Sequence, residues 1–365
     1  MTSDTVKEAM DGVSLSLHEN NFDYIRLFAA TQVVIFHTLF HLRIEQPLWT
    51  VLFRPFSGVP IFFLVSGFLI TASYERSSSF KSYVEKRLRR IYPGLWFCIL
   101  VTSGVVLALG YDLASKQGLV WFSAQLFGII YTPKFLSGFG FGSYNGSLWT
   151  IPVELQFYAT VPLLSVLMSR TSNRKATILG VLAVSMVVGV LIRMVFPSVM
   201  GSYEGNESSA AKLVRYSFFS HYFQFCLGAA AFYLSLHSAK WIKGCAPFWL
   251  VLVLVADWAI PASSIGIIAK QMVLGLFTLS AAFTFVRPSR LRGFDISYGI
   301  YLFHGRAINL IIAMGMADAP AVLYIVLLVS YCAGAVSWWF VESRFVAGKK
   351  QRIAVMPRHI EAGAR

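Results

Sequence analysis

The sequence predicts an all-α, polytopic transmembrane bundle of about ten spans, with both termini in the cytoplasm. Three observations carry that reading. The 365 residues are 56% hydrophobic and only 13% charged, about half the ~25% charge of an average soluble domain, and the mean hydropathy is +0.64. Apolar runs of about 20 residues recur along the whole length, each able to carry a helix across ~30 Å of hydrocarbon. Basic residues collect between alternate runs, as cytoplasmic loops require. This composition excludes a soluble enzyme, and those loops account for the net charge of +14 before any nucleic-acid partner is invoked.

Taken in order, the apolar runs place helices at about 22–42, 56–74, 91–110, 148–168, 176–196, 216–236, 248–260, 265–286, 295–316 and 321–342. The segment before the first run carries Asp4, Glu8, Asp11 and Glu19 against Lys7 alone. It has no signal-peptide n-region, so the first run is expected to remain a membrane helix. Arg76, Lys81, Lys86, Arg87, Arg89 and Arg90 follow the second helix, Arg170, Arg174 and Lys175 the fourth, Lys240 and Lys243 the sixth, and Arg287, Arg290 and Arg292 the eighth. All four loops are therefore cytoplasmic, and by parity the basic tail from Arg344 to Arg365 joins them. The apolar stretch 121–131 is too short to span, and a crossing there would put Arg170, Arg174 and Lys175 outside. It is expected to be interfacial or re-entrant. The organisation is then a cytoplasmic segment 1–21, one transmembrane domain 22–342 and a cytoplasmic tail 343–365. The four cysteines lack CxxC or Cys/His spacing, so neither a disulfide framework nor a metal centre is expected.

An ionisable side chain inside a spanning helix costs several kcal/mol and marks a functional candidate. Arg26 and His37 lie eleven steps of ~100° apart, about three full turns, and so share one face of the first helix. Arg26 falls at the cytoplasmic boundary and His37 ~16 Å deeper, at the two ends of a pocket; the plainer alternative is a snorkelling arginine and a packing histidine. The fourth helix opens with the cap formers Asn145, Gly146 and Ser147 and tolerates Pro152 in its first turn. Glu154 then comes to a depth near that of His37, where it either steadies the imidazole or serves as a buried hydrogen-bonding group. In the ninth helix Tyr298 and Tyr301 share a side and His304 is one turn beyond Tyr301. This second imidazole either binds substrate hydroxyls or packs. The stretch from Phe80 to Pro93 concentrates Lys81, Lys86, Arg87, Arg89 and Arg90 beside Tyr83 and Tyr92, a group that suits phosphates or simply anionic lipid.

These stretches together resemble acyltransferase family 3, integral membrane proteins that move acyl groups onto surface polysaccharides, lipopolysaccharide and related glycans. The resemblance rests on Phe22-Asp23-Tyr24-Ile25-Arg26-Leu27 with the ten-residue spacer to His37, Gly58 to Ile70 (GVPIFFLVSGFLI), and Lys86-Arg87-x-x-Arg90-Ile91-Tyr92-Pro93. It continues through Ser147 to Glu154 (SLWTIPVE), Ser297 to His304 (SYGIYLFH) and Val341-Glu342, in family order. One departure is Ser343, where the family often has proline after this glutamate.

The resemblance implies that His37 is the essential first-helix histidine, Arg26 its motif partner, and 81–93 part of the region that meets acyl-CoA. The expected reaction carries an acyl group, acetyl in the first instance, from acetyl-CoA as co-substrate to a sugar hydroxyl, at the cell inner membrane. No bound cofactor, metal or nucleic acid is implied. The catalytic group would be His37 as base with Arg26 and Glu154, either by direct transfer or through an acyl-histidine. Arg87, Arg89, Arg90 and Tyr92 would bind acyl-CoA, and Trp149, Tyr301 and His304 the acceptor. The rival is a transporter or flippase of lipid-linked glycans, with the buried ionisable groups as a proton relay. Reporter fusions after residues 80, 172, 242 and 290 are expected to signal cytoplasm, and fusions near 136, 205 and 318 the outside. An outside signal at 172 would mean that 121–131 crosses.

Overall fold

The computed structural model describes residues 20–346 apart from 145, 201–207, 287–293 and 320. Most of the two terminal segments that the sequence assigns to the cytoplasm, and the loop residues Arg287, Arg290 and Arg292, therefore lie outside the described residues. The described residues contain helices and no strand. In chain order the main helices are α1 (Phe22–His41), α2 (Gly58–Glu75), α3 (Phe80–Ala108), α4 (Lys116–Leu126), α5 (Thr150–Arg170) and α6 (Arg174–Val195). There follow α7 (Tyr222–Tyr233), α8 (Ala246–Ala259), α9 (Ser264–Ala282), α10 (Ser297–Ala313) and α11 (Val322–Ser337). Every expected apolar run holds a helix. Six helical stretches among the described residues are long and apolar enough to cross a bilayer: Leu48–Glu75, Phe80–Ala108, Gly146–Arg170, Arg174–Val195, Ser264–Ala282 and Val322–Val346.

The structure departs from the sequence reading in one element. The basic segment expected as a loop before a helix at 91 is itself helical, so that α3 runs unbroken for 29 residues, about 43 Å. Lys, Arg, Glu and Leu are good helix formers, and Ser79 caps the start by accepting the Ser82 amide at 3.2 Å. Pro93 lies inside this helix without ending it, removing one ladder bond. At 121–131 the expected non-spanning segment holds the end of an 11-residue helix, α4, which begins at Lys116 and is too short to cross. It is held by Trp121, which is buried with Val106, Leu136, Phe139 and Tyr144.

Packing follows small residues, as it must where lipid is as apolar as the helices themselves. A Cβ on Gly67 of α2 would stand 2.0 Å from the Phe225 carbonyl oxygen of α7, and one on Gly228 of α7 would stand 2.1 Å from the Leu64 carbonyl oxygen of α2. The two backbones therefore touch. Gly299 of α10 and Gly334 of α11 make a second contact of this kind. Helix α1 is tied at both levels: the Asn21 side-chain amide donates to the Ala281 and Thr284 carbonyls at the end of α9, and Gln32 accepts the Gly58 amide at 2.8 Å.

Following α11, a π-helical turn, Trp338–Glu342, rotates the chain by one extra residue. Such bulges re-aim side chains, and this one turns Glu342 inward to 1% exposure. Replacing Gly67 or Gly228 by Val is expected to abolish the monodisperse peak in size-exclusion chromatography. Gly104→Ala, where an added Cβ meets nothing within 4 Å, is expected to preserve it and to gain up to about 1 kcal/mol of helix propensity.

Candidate functional site

A cavity of about 100 Å³, open to solvent at one end, lies among α1, α2, α3, α5 and α10. Arg26, Arg87 and Arg90 contribute to one part of its lining, with Ser297 and Tyr298. Ser66, Glu154 and Tyr158 form a polar wall, and Phe62, Phe63, Ile151, Thr150 and Tyr301 complete it.

The three guanidiniums are not equivalent. Arg26 and Arg90 both reach Asp295 Oδ2, at 3.1 and 2.6 Å. Arg26 also meets Asp23 at 3.3 Å, and Arg90 meets Glu342 at 3.7 Å and lies over the Tyr298 ring. Asp295 is only 12% exposed, and Ser297 donates to it from both hydroxyl and amide, at 2.5 and 3.2 Å. Burial by itself would raise the Asp295 carboxyl; Arg90 and Arg26, with the two Ser297 bonds, outweigh it and hold the group below its ordinary value of 3.8. Arg87 differs. It reaches the Ser73 hydroxyl at 3.3 Å and lies over the Tyr158 ring, its buried Nε has no hydrogen-bond partner, and it makes no ion pair among the described residues.

Glu154 is inside the cavity, where it accepts from Ser66 at 3.1 Å and from the Tyr158 hydroxyl at 2.7 Å. The expected pairing with His37 is absent: the ring nitrogen of His37 meets His304 instead, Nδ1 to Nε2 at 3.0 Å. Tyr301 stands between the cavity and this pair. Its hydroxyl accepts from Thr150 at 2.7 Å and donates to the Ser147 carbonyl, with Phe62 edge-on at 6.0 Å. The Tyr301 and His304 rings are 5.5 Å apart, so one ring layer separates the arginine-lined space from the imidazoles. Arg26 thus lines the cavity as expected, but the far end is closed by Tyr301 rather than lined by His37.

Three other expected residues lie elsewhere. Arg89 is exposed and pairs with Glu85 one turn back, on the face of α3 turned from the cavity. Tyr92 is half-buried beside Trp96 at 5.5 Å, and Trp96 donates to the end of α4 at Leu126. Trp149 packs among Phe63, Tyr216 and His221 and does not reach the cavity. The structure also supplies residues that sequence reasoning missed. Tyr158 follows Glu154 by four residues, a spacing that puts both on one helical face and could have been read. Asn309 could not: its side chain accepts the Phe141 amide at 3.0 Å and donates to the Ser143 and Tyr144 carbonyls, both at 3.1 Å. It thereby fixes the α4–α5 loop, whose Phe141 ring stacks on His41 at 3.7 Å, next to His37.

Because folding lowers the Asp295 pKa, its ionisation stabilises the folded state at neutral pH, and that contribution is lost as pH falls below the ordinary carboxylate range. Asp295→Asn is expected to lower Tm in detergent by roughly 5 °C or more at pH 7. The difference between variant and parent should shrink as the pH is taken below about 4.

The family model for an acyltransferase domain, acyltransferase family 3, matches residues 19–342. Nodulation protein 10 of Rhizobium leguminosarum bv. viciae is 32% identical over 351 residues, covering 89% of this chain and 92% of that protein. The O-acetyl transferase of Shigella phage Sf6 is 26% identical over 354 residues, 93% of this chain and 100% of its own. The peptidoglycan O-acetyltransferase OatA of Listeria monocytogenes is 26% identical over 155 residues, 39% of this chain and 23% of its own. No solved structure matches the chain. Matched from residue 19 to residue 342, through every helix that lines the cavity, the chain belongs to acyltransferase family 3 and is a multi-pass membrane O-acetyltransferase.

Proposed function

We propose that the protein moves an acetyl group from acetyl-CoA to a sugar hydroxyl of a surface glycan, from the inner membrane, as a bundle of ten crossings with both termini in the cytoplasm. The observation that carries the donor assignment is Arg87, a cavity guanidinium with a buried, unpartnered N–H and no ion-paired carboxylate among the described residues. Arg26 and Arg90 already have carboxylates and add positive potential, although Arg90 Nη1 is likewise buried without a hydrogen-bond partner. A phosphate entering from the cytoplasm therefore meets Arg87 as its first direct partner, through a charge-assisted hydrogen bond. The chain of the donor continues along the polar wall, where Glu154 and Ser66 suit the amides of pantetheine.

The thioester then arrives at the end closed by Tyr301, and transfer requires that ring to swing aside so that the acyl carbon meets the His37 side. His37 serves as base for the acceptor hydroxyl, which is a poor nucleophile until its proton is removed. The acceptor comes from the opposite side, where His41 and the Phe141 ring offer a flat surface to the apolar face of a sugar. A peptidoglycan O-acetyltransferase among the relatives supports a carbohydrate acceptor. Glu154 has its place on the donor rather than on the imidazole.

Purified protein given radiolabelled acetyl-CoA and a polysaccharide mixture is expected to put label covalently into glycan. Movement of a lipid-linked glycan without label would favour the transporter. Arg87→Gln is expected to raise the KM for acetyl-CoA about tenfold or more, with kcat changed by less than about threefold. Arg89→Gln, outside the cavity, should alter neither. Loss of kcat at saturating donor with KM unchanged in Arg87→Gln would remove Arg87 from the phosphate site.

A further inference from the structure

The Tyr301 carbonyl fixes the tautomer of His304, and His304 in turn fixes that of His37. His304 Nδ1 lies 2.7 Å from the Tyr301 backbone carbonyl. A carbonyl oxygen can only accept, so Nδ1 must carry a proton. His304 is completely buried, with the cation Arg306 two residues along the same helix and no carboxylate hydrogen-bonded to either ring among the described residues. An added charge there would be costly, and the neutral ring leaves its Nε2 as a bare acceptor. That atom stands 3.0 Å from His37 Nδ1, a contact that bonds only if His37 supplies the proton. The neutral His37 is then protonated on Nδ1 and unprotonated on Nε2.

We propose that His304 is not an acceptor-binding residue but the positioning residue that holds His37 in its Nδ1–H tautomer, with Nε2 as the sole base. The inference concerns how the base of the reading above is prepared, and it rests on that reading for its catalytic meaning. It also sets the route of the proton. As the acceptor oxygen attacks the thioester carbonyl, its O–H bond breaks and the proton goes to His37 Nε2. The C–S bond then breaks with its electron pair on sulfur, and Nε2–H returns the proton to the thiolate, leaving ester and free thiol. No exit exists through His304, because its Nδ1 proton faces a carbonyl that cannot be protonated in turn. Positive charge can be shared between the rings while the proton enters and leaves by one atom.

The structure of the pair can be tested apart from activity. With ¹⁵N-histidine incorporated, long-range ¹⁵N–¹H correlation spectra of the full-length protein in detergent distinguish the two neutral tautomers. The His37 signals are identified by their loss in His37→Gln. Wild type is expected to show His37 as Nδ1–H and to lose that preference in His304→Leu. A wild-type His37 found as Nε2–H overturns the proposal, whatever the enzyme does.

Kinetics supply the functional arm. Glutamine at 304 keeps an oxygen that can accept from His37 and an amide that can donate to the Tyr301 carbonyl, whereas leucine keeps neither. His304→Gln is expected to retain kcat to within about tenfold. His304→Leu should lose about 10² or more, within the range of positioned acid-base catalysis, with the KM for acetyl-CoA and for glycan unchanged. A rise in glycan KM with kcat preserved would return His304 to acceptor binding and overturn the proposal. Should His304→Leu fail to fold, the wild-type spectrum and the His304→Gln kinetics still decide it. If wild type transfers no label at all, the functional reading fails while the tautomer measurement stands.

Discussion

Asp295 is the charge on which the basic mouth depends. Two guanidiniums, from α1 and α3, meet on one of its oxygens, while Ser297 occupies the other from the start of α10. Three helices distant in sequence are thereby brought to one point, and two cations that would otherwise repel each other in a partly dehydrated space are held together. The arrangement needs the second carboxylate, Glu342, which the π-helical turn after α11 swings inward to face Arg90. Truncating one member of such a group leaves the others uncompensated. The network therefore sets both the stability of the mouth and the aim of Arg90.

Arg26 and Arg90 each pair with a carboxylate, so selectivity falls to the cavity cation that has no ion pair among the described residues. Arg87 lies over the Tyr158 ring, and Tyr158 donates to Glu154, so one aromatic residue links the cation to the carboxylate of the polar wall. This explains how positive and negative side chains share one cavity without forming a direct pair. The same residues leave the cavity amphiphilic along its length: guanidiniums, then hydroxyls and a carboxylate, then phenyl rings. A donor with a charged head, an amide-bearing arm and a small acyl end has the matching order.

At the closed end the backbone does much of the positioning. The Tyr301 hydroxyl is held by the Ser147 carbonyl and the Thr150 hydroxyl, while the Tyr301 carbonyl holds His304. One residue thus separates the cavity from the histidine pair and orients that pair. On the far side Asn309 binds three backbone groups of the α4–α5 loop. It fixes Phe141 over His41, so that the surroundings of His37 on this side are set by a loop packed on α10.

The sequence by itself determined the helical class, the apolar runs and the short non-spanning segment at 121–131, because hydrophobic length and charge distribution are local properties. It also marked Arg26, His37, Glu154 and His304 as notable, since an ionisable side chain in an apolar run is conspicuous without any partner. Partners were another matter. Helical arithmetic put Arg26 and His37 on one face and brought Glu154 to the depth of His37, but depth does not give azimuth. The rotation of α5 and α10 about their axes turned Glu154 toward Ser66 and His304 toward His37. Composition could not tell Arg87 from Arg89 either: two residues apart on a helix, they point about 160° away from each other, one into the cavity and one to Glu85. Which cation is left without an ion pair, which nitrogen of His37 is bare and what closes the cavity are decided largely by contacts between residues distant in the chain, and only tertiary packing supplies those.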